Sequence, residues 1–239
     1  MINICMVKYG TKVQGFEINK LIKEFLTPIV ENVKEDFKIH IATDNTDIDL
    51  GIDNINFIKL TEDEIKDHEH WSKIFFFNPH YINASQDDTT VVMDIDMQWQ
   101  HDPSPVITYP VEDGQLVSMD RWWKDNEMPI SGNLYKFKSH DFQFVHEQYI
   151  NSFKYIRPYY YKSGIVAYPN QGEQYFVYDS ISNKSPWFNI KLQPAEWCMK
   201  SHQTNKVKQK LYESRFRKET GKDYHDHYFD AIWTYKGIK

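Results

Sequence analysis

The chain has 239 residues, 41% of them hydrophobic and 26% charged, with a formal net charge of −6. That balance supports one substantial core and excludes a surface that grips nucleic acid along its whole length. Cys5 and Cys198 are its two cysteines, which excludes a disulfide framework or a cysteine-rich zinc site and fits a reducing, cytoplasmic compartment. The N-terminus shows no secretory pattern, and no run reaches the length of a transmembrane segment.

In chain order, residues 2–7 (Ile-Asn-Ile-Cys-Met-Val) read as a buried strand, with a loop at Lys8-Tyr9-Gly10-Thr11. Phe16, Ile18, Leu21, Ile22, Phe25 and Leu26 recur at helical spacing, and Pro28 marks the expected end of that helix. Residues 37–42 alternate as a second strand ending at Thr43-Asp44, and residues 54–60 form a third. His68-Glu69-His70 reads as a solvated helix start, leading into a helix over residues 71–77 that Asn78-Pro79 stops. Residues 89–94 are the next strong strand. His101-Asp102-Pro103-Ser104-Pro105 breaks the pattern. Beyond the break, strands are expected over 115–119 and 134–137. Helices are expected over 142–153, 174–181 and 206–220, the last stopped by Gly221 and carrying a basic, solvated face.

Strands alternating with helices predict an α/β fold with a mostly parallel sheet flanked by helices. Ligands of such sheets bind outside the carboxyl ends of the strands, which is where Val7, Asp44 and Asp94 fall. The segment Thr89-Thr90-Val91-Val92-Met93-Asp94-Ile95-Asp96-Met97 carries the chemistry. Side chains two apart on a strand share a face, so Asp94 and Asp96 form an anionic pair where a buried strand emerges. Two adjacent anions are costly without a cation between them, and hard carboxylate oxygens suit Mg²⁺ or Mn²⁺. Asp47 and Asp49 share the spacing but follow no apolar strand. No dinucleotide-binding glycine fingerprint, phosphate-binding P-loop or nucleophile elbow is present.

Val92-Met93-Asp94-Ile95-Asp96-Met97 resembles the Asp-x-Asp metal segment of GT-A glycosyltransferases, in particular the glycogenin and galactosyltransferase group (family eight), with Asp102 near the position of a later acidic residue. Residues 5–10 look like that group's opening strand and nucleotide loop, and residues 71–79 like the helix whose basic residue faces the sugar nucleotide. Ser131-Gly132-Asn133 resembles its sugar-lining strand, and Gly172-Glu173-Gln174 the start of the helix beside the reacting centre. The ordered set spans most of the chain. The resemblance implies one GT-A domain over 1–239, with a nucleotide-binding half (1–102) and a less regular donor-sugar and acceptor half (103–239). It implies a hexosyltransferase moving a sugar from a UDP-sugar to a carbohydrate or other hydroxyl acceptor, with Mn²⁺ or Mg²⁺ as cofactor and retention favoured over inversion. Asp94 would contact ribose and metal, and Asp96 would bind the metal. Val7, Tyr9 and Asp44 would cradle base and ribose, and Lys73 would face the diphosphate or sugar. Ser131, Gly132 and Asn133 would line the sugar pocket, while Glu173 and Gln174 approach the anomeric carbon. The chain departs from the family's His-x-x-Gly-x-x-Lys tail, carrying Thr234 where the third metal ligand would stand; His225 or His227 could supply an imidazole instead.

Two other classes fit parts of this pattern. A carbohydrate-binding protein would use Trp122, Trp123 and Trp187 as stacking platforms, with Asp94 and Asp96 on a structural Ca²⁺. A nucleotidyltransferase also sets paired aspartates at a sheet edge, but its glycine-rich N-terminal loop is not evident.

Overall fold

The computed structural model describes residues 1–10, 12–13, 16–95, 97–99, 101–123, 128–162, 172–200, 206–224 and 232–234. Strand β1 (Ile2–Lys8) leads to a two-strand ribbon, β2 (Lys12–Val13) and β3 (Phe16–Glu17), and then to helix α1 (Ile18–Asn32). Strands β4 (Phe37–Thr43) and β5 (Ile55–Lys59) follow, then helix α2 (Glu62–His68), which continues as a 3₁₀-helix over Glu69–Phe77. Next come β6 (Thr89–Met93), β7 (Met97–Trp99), the short α3 (Ser104–Ile107), β8 (Gln115–Asp120) and β9 (Ile130–Lys138). Helices α4 (Gln143–Lys162) and α5 (Gly172–Ser182), strands β10 (Asn189–Leu192) and β11 (Cys198–Lys200), helix α6 (Lys206–Thr220) and strand β12 (Ile232–Thr234) complete the order.

Seven strands form one sheet in the order β10-β8-β9-β6-β1-β4-β5. The pairs β1–β4, β1–β6, β4–β5 and β8–β10 are parallel, while β9 runs antiparallel to both β6 and β8. The mostly parallel, helix-flanked α/β sheet expected from the pattern is therefore present. Period-two alternation divides the central strands between two layers. Ile4, Met6, Ile39, Ile41 and Val91 face α1, where Ile22, Phe25, Leu26 and Ile29 are buried. Cys5, Ala42 and Val92 face the other layer, built on Trp71, Ile74, Phe76, Phe137 and Tyr149. Burial on both faces is why these strands read as continuous apolar runs. After β1 the chain crosses to β4 and β5 on one side, then returns to β6 on the other. The resulting switch point lies at the carboxyl ends of β1 and β6, where an open α/β sheet forms its crevice.

Several expectations need correction. Helix α1 passes through Pro28 and ends at Val33, because Ile29 and Val33 continue the buried stripe and its packing outweighs one lost hydrogen bond. The helix expected over residues 71–77 is present as a 3₁₀-helix that starts at Glu69, and its residues Trp71 to Phe77 are all buried. His68-Glu69-His70 is not a solvated helix start; the helix begins at Thr61, which forms a capping box with Glu64. His68 ends that helix, buried, with Nδ1 at 2.9 Å from the Tyr149 hydroxyl. Glu69 then takes a left-handed φ of 50° at the junction and pairs with Arg157 at 2.8 Å. Trp122 and Trp123 are core residues, not platforms: they are 6% and 5% exposed. The Trp122 indole donates to Cys198 O at 2.6 Å, and its ring packs on Phe216. Of the three proposed platforms only Trp187 is open to solvent. Gly221 does stop α6, with φ +72° and its N–H on Arg217 O. Both cysteines are buried and outside any disulfide among the described residues, where no helix is long and apolar enough to cross a membrane.

Candidate active site

A wide bulge in β9 organises the site. Tyr135 pairs with Ser118 of β8, yet the next residue of β8, Met119, pairs with Ser131, so residues 132–134 are extra in the strand. A bulge leaves carbonyls outside the ladder, and each needs a partner. Ser118 Oγ lies 3.0 Å from both Ser131 O and Leu134 O. The Asp94 N–H donates to Asn133 O at 3.0 Å, which fixes the residue that ends β6. The Gly132 carbonyl accepts from Lys73 Nζ at 2.7 Å, and the Gly132 N–H donates to Gln174 Oε1 at 2.7 Å.

Lys73 sits at the centre. The apolar side chains around it hold the 3₁₀-helix against the sheet and bury its stem, leaving the residue 8% exposed. Its ammonium meets Asp94 Oδ1 at 3.1 Å, Glu173 Oε2 at 3.1 Å and the Gly132 carbonyl, so all three of its protons are engaged. Burial works against its charge, but Asp94 and Glu173 more than offset this and hold Lys73 above the usual lysine range. Glu173 opens α5 and is 3% exposed. Burial pushes its carboxyl up to about 7, with Lys73 pulling against that rise and Asp94 adding to it. The Tyr135 hydroxyl is near enough to act on Glu173 electrostatically but does not reach good hydrogen-bond geometry. Tyr135 Oη and Glu173 Oε1 are both buried without a hydrogen-bond partner among the described residues.

Two measurable consequences follow. A Cβ on Gly132 would stand 3.2 Å from both Lys73 Nζ and Glu173 Oε2 and 3.3 Å from the Tyr135 hydroxyl. Because Lys73 Nζ and Glu173 Oε2 are held in their ion pair they cannot swing aside, so Gly132→Ala is expected to cost about 1–3 kcal/mol in urea unfolding. An alanine variant as stable as wild type would show that the cluster has room. The second concerns pH. The folded Glu173 carboxyl titrates above its ordinary value of 4.5, so between that value and about 7 the folded state binds more protons than the unfolded one. This group's contribution to stability is therefore present at low pH and declines as pH rises through that window. In metal-free buffer Glu173→Gln should flatten the slope of unfolding free energy between pH 5 and pH 8, and a slope matching wild type would count against the upward shift.

The nucleotide-loop residues also converge. Val7 and Lys8 end β1, and Asp44 follows β4. Asp44 Oδ2 accepts from the Gly10 N–H at 2.7 Å, where Gly10 has φ +73°, and Oδ1 lies 3.7 Å from Lys8 Nζ. Tyr9 is half-buried, and burial, followed by the charge of Glu69, raises its phenol. Ser131 is buried and Asn133 partly exposed, both on β9 and not in a turn. Asp94, Lys73, Gly132, Glu173 and Gln174 thus share one connected cluster, and Val7, Tyr9 and Asp44 stand at neighbouring strand ends.

Asp96 and His227 lie outside the described residues, as does His225. Among those that are described, no three His, Cys, Asp or Glu side chains gather around one point. The Asp94 carboxylate suits a hard divalent ion: one oxygen holds Lys73 and the side chain remains 34% exposed. The tail returns to this segment, because β12 pairs antiparallel with β7 and sets Thr234 opposite Met97. Asp102 is exposed and its Oδ1 accepts the Ser104 N–H at 2.8 Å, turning the chain into α3.

Sequence reasoning missed Tyr135 and Tyr161, and read His70 as solvated. His70 Nε2 lies 3.3 Å from the Tyr161 hydroxyl; burial and then the nearby Lys73 charge push its imidazole down to about 4, so the ring is neutral at pH 7. Tyr161 in turn accepts from the Trp71 indole at 2.6 Å. A glycine inside a strand pattern was the one available signal for the bulge.

No family model matches the chain, and no curated protein matches its sequence. Its fold is similar to the crystal structure of the glycosyltransferase GlyE from Streptococcus pneumoniae TIGR4, with a TM-score of 0.55 at 9% identity over 82% of this chain and 46% of that one. The apo form of GlyE gives a TM-score of 0.52 at 9% identity, over 79% and 44% of the two chains. The chain therefore spans less than half the length of these neighbours, with which it shares its fold.

Proposed function

We propose that the chain transfers a glycosyl group from a nucleotide-sugar donor, a UDP-sugar, to a hydroxyl acceptor of carbohydrate type. One observation carries this reading: a buried ammonium, Lys73, links the Asp94 strand end to Gly132, and through Glu173 to the start of α5, at the switch point of the sheet. The resemblance to the family-eight group, residue by residue, supports the same positions.

Glycosyl transfer gives the sugar oxocarbenium character and leaves negative charge on the departing diphosphate. A fixed positive charge stabilises that charge as it develops, at no cost of reorganisation. Lys73 would supply one here once the diphosphate takes the place of one of the three acceptors, Asp94, Glu173 and the Gly132 carbonyl, that now hold its ammonium. Asp94 and Asp96, with His227, would hold Mn²⁺ or Mg²⁺, which contributes a Lewis-acid charge on the diphosphate when bound. Val7, Tyr9 and Asp44 would seat the base and ribose. Ser131, Gly132 and Asn133 would shape the sugar pocket, and Gln174, clamped to the Gly132 N–H, would keep that wall in place. Glu173 would approach the anomeric carbon. Its ion pair with Lys73 occupies the carboxylate, which favours retention, where the leaving phosphate oxygen can take the acceptor proton. Residues 1–102 would form the nucleotide half of one domain and 103–239 the donor-sugar and acceptor half.

A screen of UDP-sugars with Mn²⁺ or Mg²⁺, following UDP release, tests the reading. One UDP-sugar should be turned over and should raise the melting temperature only with the metal present. If none is turned over or bound, the transferase assignment fails. Pyrophosphate release from a nucleoside triphosphate would replace it with nucleotidyl transfer.

A further inference from the structure

Helices α4 and α5 carry a second concavity with a volume of about 610 Å³, within the roughly 300–1,000 Å³ typical of ligand pockets. Its α4 wall bears Gln148, Tyr155, Tyr159 and Tyr160, and the other side carries Asp179 of α5 with Asn183 and Lys184 just past that helix. Tyr155 and Tyr159 are 82% and 57% exposed. They stand four residues apart on a helix, so the two rings share a face. Two large rings held in water on adjacent turns have no structural role in the core. The Tyr160 hydroxyl donates to Asp179 Oδ2 at 2.7 Å and so fixes the carboxylate at the floor. The side-chain amides of Gln148 and Asn183 have no hydrogen-bond partner among the described residues.

Aromatic faces beside a fixed carboxylate and free amides match one ligand chemistry. Pyranose rings present C–H faces to tyrosines and hydroxyl pairs to carboxylates and amides. The lining carries one carboxylate, Asp179, and one ammonium, Lys184, so it has no net charge to select an anionic chain, and a purely apolar ligand would strip water from the amides without replacing its hydrogen bonds. The pocket is also joined to the site already described. Glu173, Phe176 and Asp179 or Ser180 recur at three- and four-residue spacing along one stripe of α5, and Asn183, whose N–H donates to Asp179 O, continues it just past the helix end, so the stripe runs from the buried cluster out to the cavity. At ~1.5 Å per residue, Asp179 to Asn183 lie about 9–15 Å along the axis from Glu173, a span that a short oligosaccharide bridges.

We propose that this cavity binds a neutral oligosaccharide and holds the non-reacting part of a glycan acceptor. The binding stands on the cavity's own chemistry; its link to catalysis rests on the glycosyl-transfer reading. The test titrates the full chain, without donor, with maltotetraose, cellotetraose and chitotetraose, by calorimetry and saturation-transfer NMR. At least one should bind, and Tyr155→Ala combined with Tyr159→Ala should weaken it at least tenfold while UDP-sugar hydrolysis stays unchanged. Transfer to that tetraose should then show a raised KM with kcat preserved. Failure of all three probes to bind would overturn the proposal, as would a double variant that binds as wild type does. A wild-type dimer that the double variant dissociates would also overturn it, assigning the tyrosines to self-association. A tetraose that binds through the tyrosines in a chain that turns over no UDP-sugar would uphold the glycan site and remove only the transferase reading.

Discussion

Lys73→Met is expected to abolish measurable sugar transfer, with kcat at least 10²–10³-fold lower, the loss that follows removal of one preorganised charge from a developing anion. Fold stability should fall as well. The ammonium bridges Asp94, Glu173 and the Gly132 carbonyl, and deleting it leaves the Glu173 carboxyl, 3% exposed, with no counter-charge. Breaking a buried pair in this way costs about 3–5 kcal/mol. The lower end, about 3 kcal/mol, is expected because Glu173 already titrates near neutrality and can take up a proton. For a chain of this size that is a melting-temperature loss of about 6–12 °C. A second substitution separates catalysis from folding. Glu173→Gln added to Lys73→Met removes the orphaned acid and should restore part of the stability while activity stays lost. Wild-type kcat in Lys73→Met would show that the buried cation is structural only.

Asp96→Asn should remove metal-dependent donor binding and leave the fold intact. The substitution keeps shape and removes the charge that a hard cation needs. UDP affinity measured calorimetrically in Mn²⁺ is expected to fall by about 10²-fold, in line with a metal contribution of several kcal/mol. The affinity without metal should not move. Asp94→Asn gives a different pattern, because Asp94 also binds Lys73. It should weaken donor binding with and without metal. Equal UDP affinity for Asp96→Asn and wild type in Mn²⁺ would end the metal assignment.

The parts of this site legible in the sequence are those with a local cause. An apolar, β-branched run from Thr89 to Met93 must be a buried strand, so Asp94 must lie at its end. The same reasoning places Val7 and Asp44 at the ends of β1 and β4, and strand-helix alternation brings those ends to one edge. Readings that depended on what lies across the fold fared differently. Pro28 is a helix stop by propensity, but burial of Ile29 and Val33 carries α1 past it. His68 and His70 look solvated among their acidic neighbours, yet Tyr149 and Tyr161, on a helix far along the chain, enclose them. Trp122 and Trp123 look like platforms until Cys198 and α6 are packed over them.

By itself, then, the sequence determined the layered α/β sheet and which acidic side chains stand at its rim, because hydrophobic period and chain direction are properties of neighbouring residues. Only the tertiary structure decided that Lys73 is shared by Asp94, Gly132 and Glu173, that three extra residues of β9 form the wall between them, and that the last strand returns beside Met97. Those contacts join residues 21 and 59 apart and more. They arise because a buried charge and a bulged carbonyl must each find a partner wherever the fold supplies one, and no local pattern records where that is.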